Sequence, residues 1–159
     1  MKGPLHLATA ALALMALVPV QSAQAACIDN ATASAARLHE FETMMMVVSL
    51  RCTRIGVNMR PEFDGMVEAH QAPFGQATTR LRKYLGGNGF DVHSGQFDRY
   101  ATIVANKYGG GRTSVDNCQM LDQVVGELAK VPDLAVLAMV AEQMVGRPTL
   151  DAMACVVQP

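Results

Sequence analysis

The sequence predicts an all-α fold: a compact bundle of about five helices plus a short C-terminal helix, stapled by two disulfides. Three observations carry that expectation. Apolar residues recur at three- and four-residue spacing along most of the chain, glycine and proline punctuate those stretches, and no run of alternating β-branched residues is long enough for a sheet.

The first stripe is Leu38, Phe41, Met45, Val48, Cys52 and Ile55, which line one side of a helix that Asp29 or Asn30 can cap and Gly56 can end. A second stretch follows Pro61 and carries Phe63, Val67, His70, Phe74, Leu81 and Leu85 on one side. Pro73 lacks a backbone N–H, so a kink or break is expected near Gln71. Gly86-Gly87-Asn88-Gly89 reads as a loop. A third helix is expected from about Ser94 to Tyr108, with Phe97, Tyr100, Val104 and Tyr108 on one face and Gly109-Gly110-Gly111 at its end. Thr113, with Asp116 three residues on, resembles a capping box opening a fourth helix with the stripe Cys118, Leu121, Val125 and Leu128. Pro132 suits the first turn of a fifth, where Leu134, Leu137, Ala141 and Met144 repeat. Gly146-Arg147-Pro148 then separates a short last helix that carries Cys155.

Ahead of these elements, Lys2, the apolar run Leu7 to Val18, the breaker Pro19 and the small-residue end Ala23-Gln24-Ala25 form the three parts of a cleavable export signal. Residues 1–25 are expected to be removed, leaving one helical domain over 26–159, located in the periplasm or secreted. The apolar run is shorter than the roughly 20 residues that span a bilayer, so no integral membrane segment is expected after cleavage. Gln24 stands where lipoprotein signals carry an aliphatic residue, which argues against lipidation of Cys27. The exported part holds 12 Lys and Arg against 14 Asp and Glu, a balance that gives no reason to expect nucleic acid as a partner.

All four cysteines, Cys27, Cys52, Cys118 and Cys155, lie in the exported part, where an even number reads as two disulfides. Cys52 and Cys118 both fall on buried stripes, so packing the first helix against the fourth would join them. Cys27 and Cys155 would then tie the two ends together.

Candidate chemistry is sparse. His39-Glu40-Phe41-Glu42-Thr43 begins like a zinc-protease helix, but Thr43 stands where the second histidine belongs. His39 and Glu42 then read as a polar patch on an exposed face. Asp91 and His93 sit in a glycine-flanked loop with no identifiable partner. Met44-Met45-Met46 supplies soft sulfur for copper, yet consecutive helical residues point about 100° apart and methionine commonly fills cores. His39, Met45, Asp91 and His93 are therefore the candidate metal ligands of a chain that otherwise reads as cofactor-free. Gly109 to Ser114 precedes a helix but lacks the order of a phosphate-binding loop, leaving Arg112 as a candidate anion contact. No Gly-x-Ser-x-Gly elbow occurs, and spacing alone cannot place a carboxylate pair such as Glu62 and Asp64 across a cleft.

A cysteine just after the signal, Val-Ser-Leu-Arg-Cys at Val48 to Cys52, Phe-Asp-Arg-Tyr at Phe97 to Tyr100 and Asn-Lys-Tyr-Gly-Gly-Gly at Asn106 to Gly111 together resemble a group of small secreted bacterial helical proteins with four cysteines. The resemblance covers most of the exported chain and implies export, helices and disulfides, with no activity attached. The expected function is a non-catalytic periplasmic interaction or accessory protein, of immunity or inhibitor type in one form, with an envelope or secreted protein as partner. The alternative is a periplasmic copper, zinc or small-ligand binder. An enzyme acting on envelope material ranks third because catalytic motifs are missing.

Overall fold

The computed structural model describes residues 28–86 and 95–151. These residues form six helices, α1 (Asn30–Arg54), α2 (Arg60–Ala69), α3 (Gln71–Leu85), α4 (Gln96–Gly109), α5 (Val115–Lys130) and α6 (Leu134–Val145), followed by a helical turn at 149–151. There is no strand among the described residues.

The local chemistry explains most helix boundaries. Asp29 starts α1 by accepting the Thr32 backbone N–H at 2.9 Å and its hydroxyl at 2.6 Å. The helix stops at Ile55, where Gly56 takes a left-handed φ of 90°. The expected break beside Pro73 is complete: α2 ends at Ala69 and α3 starts at Gln71, with His70 between them. Pro73 thus falls in the first turn of α3, where its missing N–H leaves no helical bond unmade. The split raises the helix count above the expected five. Two cap assignments also shift by one residue. Ser114, rather than Thr113, caps α5 by accepting the Asn117 N–H at 3.2 Å. Pro132 lies outside α6, whose cap is Asp133, accepting from Ala135 and Val136.

The 25-residue α1 is the axis, about 37 Å long, and every other helix rests on it. Its predicted stripe is buried from Leu38 through Cys52, whereas Ile55 is exposed because the helix has ended there. α2 lies along α5 so closely that a Cβ at Gly65 would come within 3.3 Å of the Ala129 Cβ. His70, fully buried, donates its Nε2–H to the Leu128 carbonyl at 3.0 Å and so fixes the α2–α3 junction on α5. α4 climbs alongside α1, with Tyr100 beside His39 and Gly109 beside Val47.

Cys52 and Cys118 form the expected disulfide between α1 and α5, with Cα atoms 5.7 Å apart and both residues fully buried. Cys27 and Cys155 lie outside the described residues, as do Asp91 and His93. The bond closes a separation of 66 residues, which in the chain-entropy picture stabilises the native state by about 4 kcal/mol. Replacing both cysteines by alanine is expected to lower the unfolding free energy by about that amount, read from denaturant midpoints of the non-reduced protein. An unchanged midpoint would contradict it.

Candidate functional site

Two features stand out above ordinary packing: a buried carboxylate anchor on one side of α1 and an open trough on another. The anchor is Glu40, fully buried in the middle of α1. An isolated carboxylate at such depth is costly unless every lone pair finds a donor. Glu40 meets that condition. Its Oε1 accepts from the Tyr100 hydroxyl at 3.2 Å and from the backbone N–H of Thr149, and its Oε2 accepts from Lys107 Nζ at 3.2 Å, the Tyr108 hydroxyl at 3.2 Å and the Thr149 hydroxyl at 2.9 Å. One side chain thus fastens both α4 and the turn after α6 to α1. Burial, together with the neighbouring Glu40 charge, pushes the Tyr100 hydroxyl far above the usual tyrosine range, so it remains a donor.

His39 is not the exposed patch residue that spacing suggested. Its ring is shielded beside Phe97 and Tyr100, with centroids 5.3 and 5.8 Å away. Burial, aided by the Arg82 charge and opposed by Glu40, lowers its pKa below the ordinary 6.5. Its partner in that expected patch, Glu42, is also partly withdrawn from water, and burial raises its carboxyl.

The trough lies where α1, α3 and α6 meet and encloses about 490 Å³. α3 and α6 both lean on α1 and scarcely touch one another, so the space between them stays open. Its lining is rich in small residues, with Ala31 and Ala35 from α1, Ala77 from α3, and Ala138 and Ala141 from α6. Larger side chains at these positions would close the gap. Leu134, expected on the buried stripe of its helix, is instead 54% exposed at the edge of this trough, and Met139 on the same helix is 53% exposed. Arg37 and Arg80 supply positive charge and Glu142 negative charge along the walls. Arg37 donates Nε–H to the Gly146 carbonyl at 2.8 Å, while Arg80 is tied to Asp29 at 2.7 Å and Thr32 at 3.2 Å.

The remaining candidates among the described residues are not assembled into a site. Met45 is fully buried in the core, Met44 nearly so, and only Met46 of the triplet is well exposed. Among the described residues no three His, Cys, Asp or Glu side chains gather as a metal site. Arg112 is exposed beside the Gly109 to Gly111 turn, where Arg51 donates to the Gly110 carbonyl. Glu62 and Asp64 stand two residues apart on α2, so they do not face each other across a cleft, and Asp64 forms a surface pair with Arg60. Glu62 instead meets Asp122 on α5, whose carboxyl is raised by burial and by the Glu62 charge. Comparison with protein-family models, curated proteins and solved structures yields no match for this chain.

Neither the anchor nor the trough was named by sequence reasoning. A signal for the first existed: Ala36, Glu40 and Met44 follow one another at four-residue spacing, so Glu40 occupies a ridge of small and apolar residues.

Two outcomes follow. Tyr100→Phe removes a hydrogen bond to a buried charge and is expected to cost about 1.5–3 kcal/mol in chemical denaturation, with a smaller loss for the more exposed Tyr108→Phe. Asp29 is held at about 2, below its ordinary 3.8, first by the two Thr32 hydrogen bonds and then by Arg80. Because the folded value is the lower one, its contribution is complete above the ordinary value and disappears as pH falls through about 2. In a carboxyl NMR titration, Thr32→Val is expected to return Asp29 toward 3.8.

Proposed function

We propose that this protein is a non-catalytic, exported accessory protein that recognises another envelope or secreted protein through the α1/α3/α6 trough. The trough is the observation that carries the reading. A stable helical domain ordinarily closes the space between two helices resting on a third, and here alanines keep it open while Leu134 stays exposed at its edge. Its shape suits a helix from the partner, laid into a groove by apolar contacts and oriented by polar groups at the walls. An immunity or inhibitor role fits this design, since it needs only a rigid recognition surface.

Export is part of the same proposal. It rests on the signal-like residues 1–25 and agrees with a disulfide, which persists in oxidising compartments. Among the described residues no helix is long and apolar enough to cross a membrane. With Cys52 joined to Cys118, Cys27 and Cys155 are the remaining pair, and their union would complete the two disulfides. Membership in the secreted four-cysteine helical group belongs to this reading as well.

A trough of this volume also falls in the range of small-molecule pockets, which keeps a small amphipathic ligand as the second reading. A photo-crosslinking residue at Gln76, inside the trough, and another at Lys83, outside its lining, separate these outcomes in intact cells. The expected result is a protein adduct at position 76 that Ala138→Trp abolishes, with none at position 83. Equal adducts at both positions, or none at 76, would overturn the protein-partner reading; a small-molecule adduct at 76 would favour the second.

A further inference from the structure

The imidazole of His39 presents a problem that the fold leaves unsolved. Both ring nitrogens are shielded from solvent, and neither has a hydrogen-bond partner. A neutral ring in that place leaves one donor and one acceptor unmet, whereas an imidazolium would leave two donors and a full charge unmet. The ring is packed against Phe97 and Tyr100 of α4, and the guanidinium of Arg82 on α3 lies 4.2 Å from the centroid of the same Phe97 ring.

The surrounding charges offer no ready acceptor. On α1, the Glu40 carboxylate is filled by Tyr100, Tyr108, Lys107 and Thr149, and Glu42 is itself partly buried and held toward its neutral form. On α3, Arg82 has the same sign as an imidazolium. On α4, Asp98 and Arg99 are exposed beside Phe97 and Tyr100, while Lys107 and Tyr108 are engaged with Glu40. Segment 87–94, which contains Asp91 and His93, lies outside the described residues.

We propose that His39 is an acid-operated release for α4: proton uptake drives the ring out of its contact with Phe97 and Tyr100 into water and loosens α4 from α1. The direction follows from linkage. The packed state favours the neutral ring and the opened state binds the proton at the ordinary histidine value near 6.5, so acidification below that value shifts the balance toward opening. Tyr100 connects the two functions of the seam, since it touches His39 and also donates to Glu40. Its departure would remove one of the bonds that fasten α4.

The test is an NMR titration of the His39 ring in the intact protein, combined with amide hydrogen exchange at pH 7.5 and pH 5. In the wild type the ring is expected to titrate below 6.5, and α4 protection to fall by about ten-fold at pH 5 while α2 and α5 stay protected. His39→Leu, which fills the same space without a titrating group, is expected to hold α4 protection constant across that range. A ring that titrates at or above 6.5, or an equal acid response in His39→Leu, would overturn the proposal. Should His39→Leu not fold, His39→Phe serves as the comparison and the wild-type titration still decides the direction.

Discussion

The buried carboxylate of Glu40 is the constraint on which the arrangement around α1 depends. Apolar burial alone would let α4 and the segment after α6 slide along the axis helix, because hydrophobic contact is non-directional. Five hydrogen bonds to one buried side chain remove that freedom: they fix Tyr100, Lys107 and Tyr108 on α4 and Thr149 beyond α6 relative to a single point. The opposite half of the molecule is fixed by different chemistry. There the Cys52–Cys118 bond and the close approach of Gly65 to Ala129 bind α5 to α1 and α2. The trough stays open because it lies under neither set of ties: α6 is held mainly through α1 and through its own C-terminal end.

Much of the architecture was legible in the sequence, because helix spacing is a local property and disulfide register follows from it. The stripes on α1, α4 and α5 fall on their buried faces, and helix register alone matches Cys52 with Cys118. The two misplaced caps are of a different kind. Thr113 and Ser114 are adjacent hydroxyls with equal capping chemistry, and Pro132 adjoins Asp133, so only the backbone path chooses between neighbours. The helix count was lower because a proline that interrupts a pattern can either kink one helix or begin another.

The candidate sites were harder to read, for a physical reason. Glu40 stands among Arg37, His39 and Glu42, a run of polar residues that resembles a solvated helix face, and its donors lie 60 to 109 residues away. Their convergence is a tertiary fact. Alanine is similarly ambiguous: the five that line the trough read as ordinary helix formers, and only the separation of α3 from α6 turns their small size into space. His39 was placed on the wrong face because a lone histidine beside two glutamates looks polar, whereas Phe97 and Tyr100 from α4 enclose it.

The claim that one carboxylate couples α4 to the end of α6 is tested most directly by a double-mutant cycle between Tyr100→Phe and Thr149→Val, measured by equilibrium unfolding with Glu40 present and again in Glu40→Leu. Tyr100 and Thr149 are joined through Glu40, so the account predicts a coupling of about 0.5–3 kcal/mol that vanishes when Glu40 is replaced. Additive losses in the presence of Glu40, or a coupling that survives its removal, would contradict it.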